Sequence, residues 1–236
     1  VQPCAAAYYK AEPNSAADCT PCPANSGTGT STANDALADC LADAGFSGNG
    51  SSVSACAAGT YKASANSEAA CTDCPSNSGT GSGTGSDALA DCLADAGYTG
   101  SGADVAACSA GTYKALANSV AACESCPAHS GTGSHIAQVA LADCLADAGY
   151  TGSGDNVSAC AAGTYKAAAT SADNCTSCPA NSGTGTATAQ SALSDCLADA
   201  GYTGSGGSVS ACAAGTFKAV ATSAIPCDLC PANSGT

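Results

Sequence analysis

The sequence predicts a small disulfide-rich tandem-repeat protein: an elongated rod of short extended segments with one short α-helix in each 52-residue unit. Three observations carry this. The cysteines recur at four fixed phases, each stepping by 52: Cys4, Cys56, Cys108, Cys160 and Cys212; Cys19, Cys71, Cys123, Cys175 and Cys227; Cys22, Cys74, Cys126, Cys178 and Cys230; and Cys40, Cys92, Cys144 and Cys196. Together these are all 19 cysteines of the 236-residue chain, and no insertion or deletion interrupts the period. Self-similarity at a fixed step marks an array of small units. Third, the larger apolar side chains of one unit, Val53, Tyr61, Leu89, Leu93 and Tyr98, are too few to hold 52 residues by burial alone, so covalent staples have to contribute. The units run 1–52, 53–104, 105–156 and 157–208, with a partial fifth over 209–236. A constant step from unit to unit builds a rod.

Within the unit 53–104, Val53 to Lys62 combines Val, Cys, Thr and Tyr around Gly59, which suits a short extended segment with a turn. Residues 63–70 are small and polar and predict a surface loop. Cys71 to Pro75 predicts a tight turn with proline fixing its exit. Ser76 to Gly85 contains only Ser, Asn, Gly and Thr, has no apolar period, and predicts a loop. The pattern then changes over Ser86 to Gly97. Leu89, Cys92, Leu93 and Ala96 fall at i, i+3, i+4 and i+7, the spacing of one helix face. Ser86 is placed to cap this helix, Asp87 to favour its N-terminus, and Gly97 to stop it. Asp91 and Asp95 would then share its polar side.

Two aromatic phases accompany the cysteines: Tyr9, Tyr61, Tyr113, Tyr165 and Phe217, and Phe46, Tyr98, Tyr150 and Tyr202. Phenylalanine replaces tyrosine once at each, so the ring matters there more than the hydroxyl. We assign one ring to packing within the unit and one to the junction. The five lysines, Lys10, Lys62, Lys114, Lys166 and Lys218, share a further phase. Each stands either solvated or against an aspartate of a neighbouring unit, an exposed pair worth under about 1 kcal/mol.

A formal charge of −14 and a pI near 4.1 argue against a nucleic-acid partner and against an anionic membrane surface. No apolar run is long enough to span a bilayer. The chain opens at Val1 with no signal peptide ahead of it, which reads as a mature or partial product.

The Cys-x-x-Cys pairs admit redox, zinc and disulfide readings. Redox catalysis would need a group that lowers a thiol pKa, and no histidine or arginine recurs with them. Zinc ribbons pair two such knuckles, whereas here the other two cysteines of each unit are isolated. Structural disulfides in an oxidising, extracellular setting remain, with no cofactor and no metal. Three pairings stay open on spacing alone: sequential (Cys56–Cys71, Cys74–Cys92), interleaved (Cys56–Cys74, Cys71–Cys92), and a junction scheme (Cys40–Cys56 with Cys71–Cys74).

Cys-x-x-Gly-Thr-Tyr followed about fifteen residues later by Cys-x-x-Cys-Pro resembles the cysteine-rich repeats of ephrin-receptor-like and tumour-necrosis-factor-receptor-like ectodomains. Tandem versions rich in Ala, Thr, Ser and Gly resemble the surface (immobilisation) antigens of ciliates. The resemblance implies an extracellular coat protein, secreted or held by a glycolipid anchor, and it implies sequential pairing. Cys230 is then left over, with a partner expected 18 residues on, beyond Thr236. That predicts continuation along the rod axis, by further chain or by self-association into a filament.

Asn49-Gly50-Ser51, Asn156-Val157-Ser158 and Asn174-Cys175-Thr176 fit the N-glycosylation sequon, the last with a cysteine expected to be bridged. Ser26–Thr32 and Thr184–Thr188 are candidate O-glycan stretches. The pairs Asp91/Asp95, Asp143/Asp147 and Asp195/Asp199 have no recurring nucleophile or third carboxylate beside them and no EF-hand loop, so they predict a solvated acidic face, with weak calcium bridging as the alternative. His129 and His135 occur in one unit only. The functional expectation is a glycosylated, extracellular structural protein forming a surface coat or filament, and not an enzyme. The alternative is a receptor or adhesion ectodomain that binds a protein or glycan along the array.

Overall fold

The computed structural model describes residues 2–12 and 16–234; Val1 and Thr236 lie outside them. The chain forms two compact units, one of residues 1–108 with 114–123, the other of 109–113 with 124–236. Both are built the same way, from antiparallel pairs of two-residue strands.

Each 52-residue period holds three such pairs. Those that start in the second repeat are Thr60–Tyr61 with Thr72–Asp73, Ser78–Gly79 with Leu93–Ala94, and Tyr98–Thr99 with Ala106–Ala107, the last reaching into the third repeat. One type of turn opens all three. Thr60, Ser78 and Tyr98 donate their N–H to the carbonyls of Ala57, Pro75 and Asp95, closing four-residue turns. The third residue of each turn has positive φ: Gly59 at 81°, Asn77 at 63° and Gly97 at 79°. A type II turn requires this, and it suits glycine and asparagine because side chains with a bulky Cβ are strained there. The 52-residue repeat is therefore three variations on one turn-and-pair element.

Disulfides fasten two of the three. Cys56–Cys71 and Cys74–Cys92 close loops of 15 and 18 residues. The same sequential arrangement recurs as Cys4–Cys19, Cys22–Cys40, Cys108–Cys123, Cys126–Cys144, Cys160–Cys175, Cys178–Cys196 and Cys212–Cys227. No covalent link is closed around the third pair. The buried core is correspondingly small: among the described residues its apolar members are the bridged Cys4, Cys56, Cys108 and Cys160, the bridged Cys40, Cys92, Cys144 and Cys196, and Ala42, Ala94, Ala146 and Ala198. Nine disulfides and little apolar burial make this a chain whose folding depends on an oxidising compartment. Among the described residues no helix is long and apolar enough to cross a membrane.

The α-helix expected over Ser86–Gly97 is not formed. Leu89–Asp91 makes a single 3-10 turn, Cys92 is extended at φ −76°, ψ 94°, and Leu93–Ala94 is a strand. The physical reasons are local. Cys92 has to reach Cys74, and Leu93–Ala94 pairs with Ser78–Gly79, inside a stretch expected to be loop. The Asp91 carboxylate accepts from the N–H groups of Asp87 and Ala88 at 3.1 and 3.0 Å, satisfying the start of the turn. Gly97 ends no helix but sits in the third turn. An isolated helix this short is marginal in water, and the pairings outcompete it. The turns Leu37–Asp39, Leu141–Asp143 and Leu193–Asp195 repeat the arrangement.

Candidate functional site

The third turn of each of the first four repeats, which lacks a disulfide, is bonded to the lysine residue of the next, through its backbone carbonyl in all four and through its ammonium in the first two. Lys62 is 3% exposed and Lys114 2% exposed. The Lys62 ammonium donates to the carbonyls of Ala42 at 3.0 Å, Asp43 at 3.3 Å, Phe46 at 2.7 Å and Ser67 at 2.8 Å. Lys114 reaches Ala94, Asp95, Tyr98 and Ser119 at 3.1, 3.4, 2.7 and 2.7 Å. Lys166 donates to Ala146 and Ser171, and Lys218 to Ala198 and Ser223, all within 3.0 Å. The sequence expectation of a solvated or aspartate-paired lysine is thus corrected for these four: the ammonium is buried on backbone carbonyls, a cage of four for Lys62 and Lys114 and a pair for Lys166 and Lys218. Burial lowers the pKa of Lys62, Lys114 and Lys166; nearby aspartates, Asp43, Asp95, and Asp173 with Asp147, pull it back up. The carbonyl oxygens act in the same sense as the aspartates, since hydrogen bonds to the charged form favour it.

Backbone bonds seat the lysine. Gly45 N–H donates to the Lys62 carbonyl and Cys56 N–H to the Gly45 carbonyl, both at 2.8 Å. Ser67 N–H shares the Ala42 carbonyl with the ammonium. A second lock lies beside the cage. Asn66, at φ 49°, accepts the Gly29 N–H on its Oδ1 at 2.8 Å, and Asn118 does the same for Gly81 at 2.9 Å. Sequence reasoning missed both. Their signal is phase: the lysine recurs in every repeat while the position two residues on changes from Ser64 to Leu116, Ala168 and Val220.

The glycosylation candidates differ in accessibility. Asn156 is exposed at the end of the 3-10 turn Gly154–Asn156. Asn49 is half-buried and its Nδ2, the atom a glycan would occupy, donates to Glu68 Oε1 at 2.8 Å. Asn174 is exposed beside Cys175, which is bridged to Cys160. Of the candidate O-glycan residues, Thr28 and Thr184 are buried with their hydroxyls accepting from Ala7 and Gly163 N–H, while Thr30, Thr32, Thr186 and Thr188 are exposed.

Asp91 caps its turn and Asp95 lies in the next one, so they do not share a helix face. Tyr113 donates to Glu124 Oε2 at 2.9 Å, which raises its pKa, with desolvation and the charges of Glu124 and Asp155 adding to the effect. His129 occupies the left-handed turn position of Asn77 and stacks on Tyr150, ring centroids 4.0 Å apart and 6° from parallel. A cavity of about 240 Å³ is lined by Thr132, His135, Gln138, Asp143 and Thr170. The nineteenth cysteine, Cys230, is free. Among the described residues no three His, Cys, Asp or Glu side chains are grouped so as to hold a metal ion. No protein-family model matches this chain, and no curated protein matches it.

Proposed function

We propose that the chain is an extracellular structural protein, a glycosylated cysteine-rich repeat polymer of a cell-surface coat or filament, with no catalytic role. The observation that carries this is the sameness of the repeats: two disulfides and one caged lysine recur at fixed phase, so successive repeats present nearly one surface. Such a surface suits a spacer or a polymer subunit, whose neighbours meet it in the same way at every step. The resemblance to ciliate surface antigens supports the same reading. End-to-end continuation, by further repeats or by self-association, follows from it, as do glycans on the exposed loops. Electron microscopy of native material tests it: filaments or an ordered coat with an axial spacing set by the 52-residue unit are expected, and discrete single particles of one chain would overturn it.

A receptor or adhesion ectodomain is the second reading. It is favoured by the third repeat, where the cavity lined by His135, Gln138 and Asp143 lies among the exposed Ile136 and Val139. Glycan and protein arrays probed with the chain, and with His135→Ala, distinguish the two. Binding that depends on His135 supports the receptor.

A further inference from the structure

The carbonyl cages have a chemistry of their own. In the second repeat's cage, the oxygens of Ala94, Asp95, Tyr98 and Ser119 converge on one point from 2.7 to 3.4 Å. In the first, Ala42, Asp43, Phe46 and Ser67 do so from 2.7 to 3.3 Å. Uncharged oxygens at this range replace the hydration shell of a large monovalent cation, as rings of backbone carbonyls do in cation filters. They are too far apart and carry too little charge for a small divalent ion, which demands closer, anionic ligands. The oxygens belong to a turn and a loop fixed by other bonds. The Ala94 carbonyl also accepts the Ser119 N–H, the Asp95 N–H is tied to Asn77, and the Tyr98 N–H closes the turn back to Asp95. The cage walls are therefore held in part by bonds other than those to the ammonium.

We propose that each such cage is a binding site for a primary ammonium or a monovalent cation of similar size, potassium being the inorganic case, and that the lysine of the following repeat is its tethered ligand. Beside the strand pair and backbone bonds that cross the boundary, repeats then join by a recognition step, the insertion of a cation into a prepared site. The alkyl stem acts as a leash. It supplies the ion at high effective concentration and sets the register between one repeat and the next.

The test cuts the leash. In Lys114→Ala the cage is left with unpaired carbonyls, and amide hydrogen exchange at Ser119 and Gly97 should accelerate roughly 10- to 100-fold, the cost of one or two lost buried partners. Chloride salts at equal ionic strength are then compared. Methylammonium and potassium should slow exchange at these two amides saturably towards the wild-type rate; sodium and tetramethylammonium should not. Rescue by methylammonium alone still supports the site and identifies N–H donation as what it reads. Equal effects of all four salts, no rescue, or an identical response in the wild-type chain would overturn the proposal. Should Lys114→Ala fail to fold in sodium buffer, oxidative refolding decides. A higher yield of natively paired disulfides in methylammonium supports the cage, and an unchanged yield rejects it.

Discussion

Lys62 Nζ donates to the Phe46 carbonyl at 2.7 Å, across 16 residues and into the preceding repeat. Phe46 opens the strand Phe46–Ser47, whose turn has no disulfide of its own. A charge-assisted hydrogen bond thus stands where the other two turns carry sulfur, and it is stronger than one between neutral groups.

Replacing Lys62 by methionine keeps the stem and removes the charge. The Ala42, Phe46 and Ser67 carbonyls lose their donor, and stability should fall by about 2–4 kcal/mol. Urea unfolding of the oxidised chain measures it, with disulfide mapping to confirm unchanged pairing. A change below about 0.5 kcal/mol would show that the cage holds nothing of weight.

The lysines also set a pH dependence. Their native pKa is lowered from 10.5, mainly by burial. The folded chain releases these protons at a pH where the unfolded chain still binds them, so stability rises with pH between the lowered value and 10.5 and is flat below it. Urea midpoints from pH 7 to 10.5 should show the wild type gaining on a Lys62→Met/Lys114→Met/Lys166→Met chain across that window. A wild-type margin that shrinks instead would mean that the carbonyls outweigh burial.

Non-reduced peptide mapping should recover Cys56–Cys71 and Cys74–Cys92 and their repeat equivalents; a Cys71–Cys74 ring would reject the pairing. Cys74→Ala/Cys92→Ala, which opens an 18-residue loop, should cost about 3 kcal/mol.

Gly100 has φ 100°, and a Cβ there would strike the Asp104 carbonyl. Gly100→Ala should destabilise by about 2 kcal/mol or more, since strain and collision add. Thermal unfolding reads this against Gly59→Ala, where a Cβ meets nothing within 4 Å and only the positive φ is penalised.

Glycan occupancy should rank Asn156 above Asn49, because Asn49 Nδ2 is already bonded to Glu68, and should be lowest at Asn174 beside the bridged Cys175. Enzymatic deglycosylation in heavy-oxygen water, followed by peptide mass analysis, reports each site. Glu68→Ala should raise occupancy at Asn49.

The disulfide-rich repeat was legible because cysteine spacing survives whatever the chain does between cysteines. The helix was misread because Leu89, Cys92, Leu93 and Ala96 obey helical spacing, while the constraint that decides, Cys92 meeting Cys74, acts across the sequence. The third turn escaped notice for a similar reason. Gly59, Asn77 and Gly97 mark one conformation with two residue types at unequal intervals, so the sub-repeat shows only once φ is known. The lysine was hidden by its chemistry. Nothing in an isolated Thr-Tyr-Lys segment tells a buried ammonium from a solvated one, because its acceptors are backbone oxygens and leave no residue signature.

The caged lysines also decide what the chain offers to digestive enzymes. Its five basic residues are all lysines, and four are at most 5% exposed. A trypsin-class protease cuts after a basic side chain that it can draw into a deep acidic pocket. Here the lysine cannot enter that pocket without leaving its carbonyls and parting one repeat from the next. Cleavage is then governed by how often a junction opens rather than by how much enzyme is present. At these four lysines an extracellular cysteine-rich repeat protein is shielded from lysine-directed proteases by the same contact that ties one repeat to the next.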